Sequence, residues 1–475
     1  MTKYAEITNQ LATLIGKGVL RVGDRVPSIR SATSKHRVNP GTVVRAYRDL
    51  EARGLIESRP RSGYFVRATG AKHLAEPRQF RTVRHSSSVQ VCELIFEVFK
   101  AMKKSTIAQL GSAFVNPDLF PIAMNRAGAA AARGLKPTAT LEDLPPGNSE
   151  LRRLIALRYL DTGHIVAPDD IVITTGGLEA ISLCLRAVTR PGDTVAIETP
   201  TFFPTLRMLE WMGLRAAEIA TDSRTGINID ALEHTFKKGS IKACVVIPTF
   251  QNPLGSCMPE ENKRALARLA ERYKVPVIED AAYAELFFGA SRPRSVKSFD
   301  RFGWVLHCGS MSKCLAPGYR IGWAAPGRFV QEVWEGKVVS SLTTAPVCQE
   351  ALVRYLKRGG FEQHLRRLRQ TLSERCQEMR RAVSSEFPAS CRMTQPDGGY
   401  MLWVELPKSV DALQLYRLAL EAEVSIAPGP IFSAQRDYRN CIRLNFGHPS
   451  IAQIRRGVTI LARLITSASA AGPTA

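Results

Sequence analysis

The stretch SMSKCLAPGYRIGW, residues 310–323, sets one lysine, Lys313, among Ser310, Ser312 and Arg320. A lysine in a confined site can form a Schiff base with an aldehyde. Two serines and an arginine around it can bind a phosphate on the same ligand. Upstream, TTGG at 174–177 leads directly into the helical LEAISLCLRAV, so backbone N–H groups at the helix start can hold a dianionic phosphate with help from the helix dipole. At the end of VPVIED stands Asp280, where an unpaired carboxylate is costly to bury. It calls for a cationic partner, and a protonated pyridine nitrogen would serve, each charge stabilising the other.

These residues need a scaffold that brings strand ends together. Beyond residue 165 short apolar runs alternate with longer helical patterns: DIVITTGG, DTVAIETP, KACVVIPTF, VPVIEDAAY and WVLHCGSMSK each read as a buried strand ending in polar residues. That alternation predicts an α/β fold with a mostly parallel sheet covered on both faces, with ligands outside the carboxyl ends of its strands. After about residue 335 come a charged helix, HLRRLRQTLSERCQEMRRA, and then MLWVELP and NCIRLNF, which predict a smaller C-terminal α+β lobe.

The ordered motifs together resemble the fold-type I pyridoxal-phosphate enzymes, the aspartate aminotransferase superfamily, over roughly residues 100–465. The resemblance implies pyridoxal 5'-phosphate as cofactor. Gly177 and Leu178 would offer backbone N–H groups to its phosphate, joined by Ser310, Ser312 and Arg320. Phe202 in ETPTF would stack on the ring, Asn252 in QNPLG and Tyr283 in EDAAY would hydrogen-bond the ring oxygen, and Asp280 would face the ring nitrogen. Lys313 would be the catalytic residue and carry the covalent link, and Arg443 in IRLNF would clamp the carboxylate of an amino acid. The chain departs from the family near Glu142 in LEDLPPGNSELRR, where a tyrosine usually reaches the phosphate of the neighbouring subunit.

The front of the chain is built for something else. The formal net charge is +22, and residues 1–70 hold thirteen Lys and Arg against five Asp and Glu, an excess that favours a polyanion. Ile7, Leu11, Leu14 and Ile15 recur at helical spacing from Tyr4 to Leu20 until RVGDRVP breaks the pattern. Ser28 caps a second short helix, SIRSATSKH. Asn39-Pro40 opens a third that carries Val43, Val44, Tyr47 and Leu50. IESRPRSGYFV then reads as a hairpin wing. Three helices and a wing predict a winged helix-turn-helix, with Thr42, Arg45 and Arg48 on the groove-facing helix, Arg30 where the preceding helix crosses the backbone, and Arg61, Ser62 and Gly63 at the wing tip. Residues 4–67 resemble the DNA-binding domain of GntR-type bacterial regulators, with Pro40 and Gly41 replacing the usual polar start of the recognition helix.

A GntR-type head on an aminotransferase-like body resembles the MocR subfamily of transcription regulators. That resemblance implies a regulator of double-stranded operator DNA, with the cofactor or its adduct with a small amine or amino acid as effector, in a head-to-tail homodimer. The expected organisation is a head over 1–70, a linker over 71–90 and a body over 91–475, with the large sheet at about 115–335 and the small lobe at about 336–475. The alternatives are a working aminotransferase with an accessory head, and a body that binds no cofactor. No apolar run reaches eighteen residues and MTKYAEITNQ has no secretory pattern, so no membrane association and a cytoplasmic, DNA-bound location are expected. The ten cysteines form no C-x-x-C pair or zinc-spaced cluster; they read as reduced thiols, with no metal site.

Overall fold

The computed structural model describes residues 3–16, 19–21, 23–52, 55–59, 62–66, 74–77, 86–87, 100 and 108–470. At the front, α1 (Lys3–Gly16), α2 (Ile29–His36) and α3 (Pro40–Ala52) precede the antiparallel strands β1 (Ile56–Arg59) and β2 (Gly63–Val66). The starts of α2 and α3 are chemically specified. The Ser28 hydroxyl accepts from Ser31 N–H (3.1 Å), and the Asn39 side chain accepts from Thr42 N–H (2.8 Å), with Pro40 at the first helical position, where its missing N–H costs nothing. α1 ends at Gly16, short of the Leu20 expected from periodicity, and the N–H groups of Val19 and Leu20 both turn back to Leu14 O. Ile7, Leu11, Ile15, Val43, Tyr47, Leu50, Ile56 and Val66 form one core, whereas Leu14 and Val44 are only half-buried.

The body is organised by an eight-stranded sheet. Its strands are β4 (Val172–Thr174), β5 (Thr194–Thr199), β6 (Arg215–Asp222), β7 (Gly226–Ile227), β8 (Ile241–Val246), β9 (Val277–Asp280), β10 (Val305–Ser310) and β11 (Gly322–Ala325). The order is β4-β11-β10-β9-β8-β5-β6-β7, and only β11 and β7 run against the rest. β9 and β10 are buried along their whole length, as strands covered on both faces must be. The carboxyl ends of β4, β5, β8, β9 and β10 lead into Gly176, Phe202, Asn252, Tyr283 and Lys313, so this topology collects residues spread over more than 130 positions at one rim.

The smaller lobe holds the sheet β12 (Arg392–Met393), β13 (Met401–Glu405), β16 (Cys441–Asn445) and β15 (Ala427–Pro428), covered by the helices Phe361–Glu386, Ala412–Glu421 and Ile451–Ala470. β14 (Val424–Ser425) pairs in parallel with β3 (Ala108–Gln109), which ties the start of the body to this lobe. The described part of the expected linker is not free chain. Ala75 O accepts from Met393 N–H (2.9 Å), Ser87 exchanges two backbone hydrogen bonds with Ala216, and Glu76 pairs with Arg224. Leu74 is buried in the body's core, and that burial is the reason the segment docks.

Candidate cofactor and DNA sites

The phosphate-holding candidates meet at the start of the helix Gly177–Val188. Gly176 sits at φ +85° ahead of a helix start that has no side-chain cap, and a Cβ there would collide with Arg320 Nη2. Arg320 donates to Ser312 Oγ (3.0 Å) and Thr175 O (3.4 Å), while Ser310 Oγ accepts from Ser312 N–H (3.2 Å). A Cβ on Gly177 would meet Ser310 Cβ at 3.3 Å, so the helix start and the turn after β10 are in close apposition. The Leu178 side chain is exposed, which leaves its backbone N–H as the candidate donor. Glu142, where the family's tyrosine is missing, accepts from Thr138 Oγ1 (2.9 Å).

The ring-facing candidates line the next strand ends. Asp280 is 4% exposed, accepts one hydrogen bond from Ala282 N–H (3.0 Å) and, among the described residues, joins no salt bridge. Burial pushes its carboxyl up to about 6. Lys313 Nζ donates to Ala113 O (3.1 Å) and lies 4.8 Å from the ring centre of Phe114 and 5.9 Å from that of Tyr283. Burial, helped by Arg443 and Arg320 and opposed by Asp280, brings its ammonium down to about 8. Asn252 donates to Tyr283 OH (3.0 Å), and burial, with Asp280 adding, pushes that phenol up to about 12. Phe202 is buried and packs against Phe203, ring centres 5.4 Å apart.

Arg443 is fully buried. Its Nη1 donates to Asn252 Oδ1 (3.2 Å), its Nη2 to Gly111 O (2.7 Å) and Ser112 O (3.0 Å), and its Nε is buried without a partner. Burial lowers its guanidinium to about 10, and among the described residues no carboxylate pairs with it. A buried acid lacking a cation, a buried cation lacking an acid and a glycine–serine–arginine cradle fit a phosphorylated pyridine aldehyde and the carboxylate of its amine partner.

On the head, Arg30, Arg45, Arg48, Ser62 and Gly63 are exposed and Thr42 is half-buried. Thr42 spends its hydroxyl on Asn39 Oδ1 (3.0 Å), and Arg45 lies over the Tyr4 ring at 4.2 Å, so both also hold the head together. Arg61 lies outside the described residues.

The sequence reading missed Asn445 and Tyr400. Asn445 Nδ2 donates to Ser112 O and Phe114 O (both 2.8 Å), and Tyr400 OH donates to Ala113 O (3.0 Å). The signal for Asn445 was present: it lies two positions after Arg443 on β16, hence on the same face.

Residues 123–461 match the family described as Aminotransferase class I and II, and residues 3–66 the bacterial regulatory proteins, gntR family. The HTH-type transcriptional regulator YdcR of Escherichia coli is 40% identical over 446 residues, 94% of this chain and 95% of its own. The 2-aminoadipate transaminase of Thermus thermophilus is 32% identical over 78% of this chain and 93% of its own. The crystal structure of the α-aminoadipate aminotransferase LysN from the same organism, complexed with N-(5'-phosphopyridoxyl)-L-leucine, matches with TM-score 0.74 at 30% identity over 81% of this chain and 97% of its own. With both halves matched and relatives spanning nearly its whole length, the chain belongs to the class I and II aminotransferase family and, through its gntR-family head, to the MocR type of HTH transcription regulators.

Proposed function

We propose that this DNA-binding regulator holds pyridoxal phosphate on Lys313 and that an amino compound reaching the same site changes its grip on operator DNA. The observation that carries the reading is the pairing, in a chain with a winged head, of a lysine tuned to about 8 with a buried carboxylate that has no ion-pair partner. The cofactor supplies an electron-withdrawing ring and an aldehyde; the protein supplies everything that orients them. Asp280 would face the ring nitrogen, Asn252 and Tyr283 the ring oxygen and Phe202 the ring face. Gly177, Leu178, Ser310, Ser312 and Arg320 would hold the phosphate, and Arg443 an incoming carboxylate. In the head, Arg30, Thr42, Arg45, Arg48, Arg61, Ser62 and Gly63 would meet the duplex. The boundaries 1–70, 71–90 and 91–475, a head-to-tail homodimer and a cytoplasmic location belong to this proposal.

The test is spectroscopic and electrophoretic together. Purified protein with added pyridoxal phosphate should absorb in the visible region, Lys313→Ala should not, and a fragment from upstream of its own gene should be retained in a salt-sensitive way. Absence of the visible band would remove the cofactor assignment. A second reading, a working transaminase, is supported by the residue set, the tyrosine missing near Glu142 aside, and by the 32% identity to a 2-aminoadipate transaminase. Sustained multi-turnover transfer between an amino acid and a keto acid would establish it; a single slow conversion would count against it.

A further inference from the structure

The carboxylate anchor is covered by backbone. Arg443 Nη2 has two hydrogens, and the carbonyls of Gly111 and Ser112 take them at 2.7 and 3.0 Å. A carboxylate grips a guanidinium with two parallel bonds, either end-on through Nη1 and Nη2 or side-on through Nε and Nη2. Both modes need an Nη2 hydrogen. Seating a carboxylate therefore takes a hydrogen bond away from Gly111 or Ser112, although Nε already waits buried and unpartnered.

The segment that must yield is fastened by the rest of the site. Ala113 O accepts from Lys313 Nζ (3.1 Å) and Tyr400 OH (3.0 Å). Asn445 holds Ser112 O and Phe114 O while its own Oδ1 accepts from the N–H groups of Gly447 (2.6 Å) and His448 (2.9 Å), so all four of its hydrogen-bonding positions are filled. Of the segment's own N–H groups, Gly111 donates to Ser425 Oγ, Phe114 to Ser112 Oγ and Asn116 to Gly447 O, at 3.1–3.2 Å. Just before it, β3 pairs in parallel with β14.

We propose that the effector is an amino acid rather than a plain amine, and that its carboxylate is read by displacing the carbonyl strap Gly111–Ala113 from Arg443, against the hold of Asn445. Asn445 is a positioning residue here, acting on the site through the strap. A plain amine, lacking the carboxylate, leaves both Nη2 bonds in place and the strap where it is. The inference rests on the cofactor reading above, and its test separates the two.

Full-length protein is saturated with N-(5'-phosphopyridoxyl)-L-leucine or with the same adduct of 3-methylbutylamine, which differs only by lacking the carboxylate. Hydrogen–deuterium exchange is followed by mass spectrometry on the peptide spanning 108–121, with adduct binding measured separately by fluorescence. The leucine adduct should speed exchange across Gly111–Asn116 by about tenfold relative to the amine adduct, because the strap's amides then open locally. Equal exchange with both adducts bound would overturn the strap proposal and leave the cofactor site standing. Binding of neither adduct would overturn the cofactor reading and the proposal with it. Asn445→Ala should bring the amine complex to the fast exchange of the leucine complex, and unchanged exchange would remove Asn445 from the device. If that variant does not fold, the adduct comparison on the unaltered chain decides alone.

Discussion

With its ammonium brought down to about 8, Lys313 presents about half of its population as neutral amine at pH 8, where a lysine at the ordinary 10.5 presents under about 1%. The neutral amine is the nucleophile, so covalent attachment of pyridoxal phosphate should quicken with pH around a midpoint near 8. A midpoint near 10.5 in stopped-flow absorbance would show that the amine is not desolvated. Asp280 moves the opposite way. Its folded value of about 6 lies above the ordinary 3.8, so between those values the folded chain keeps a proton that the unfolded chain has released. The stability contributed by protonated Asp280 is full below pH 3.8 and is lost as pH rises through 6, a difference of roughly 3 kcal/mol. Asp280→Asn should therefore stabilise the cofactor-free protein at pH 7.5 by up to about 3 kcal/mol in urea melts while weakening cofactor binding by about tenfold or more. Lys313 and Asp280 were legible in the sequence because a lone lysine beside serines and an acid ending an apolar run are locally odd. The face of Asn445 was legible too, from its spacing to Arg443, but what it holds was not, because its partners lie 331 and 333 residues away.

At the scale of elements, the helix Gly177–Val188 depends on what precedes it. Gly176→Ala places a methyl against the Arg320 guanidinium at a backbone angle that disfavours any side chain, so Arg320 must move and the cradle opens. Cofactor titration should show an affinity loss of about tenfold or more. In the head, Asn39→Ala removes the acceptor for both Thr42 N–H and its hydroxyl, and the head should lose about 1 kcal/mol in denaturant unfolding followed by circular dichroism. Five strands of the main sheet could be read from apolar runs, yet β6 escaped. Its sequence, RAAEIATD, carries Glu218 in the middle, which looks exposed. The fold buries that carboxylate by giving it Thr199 Oγ1 and Ala434 N–H, both at 3.0 Å, one of them from the other lobe. β11, GWAA, is four residues long and antiparallel, too short for a periodicity to declare itself.

For the whole molecule, the proposed regulation asks one ligand to couple two parts that answer to different physics. The head's contribution is electrostatic: Arg48→Ala should weaken operator binding and lower the salt slope of log affinity by about 1, read by fluorescence anisotropy across salt concentrations. Arg45→Ala should do the same and also loosen α1 from α3, because that guanidinium lies over Tyr4. In that proposal the body's contribution is conformational, since an effector shifts operator affinity only by the difference in its binding to two states of the chain. The sequence by itself determined the chemistry on offer, since lysine, acid, phosphate-binding glycines, helix caps and a basic front are written in residue types and in spacings of a few positions. Only the tertiary structure decided that Arg443 is wholly buried and that both Nη2 hydrogens belong to a strap more than 330 residues earlier. Contacts of that separation arise from how the start of the body folds back onto the small lobe, and no local periodicity records them.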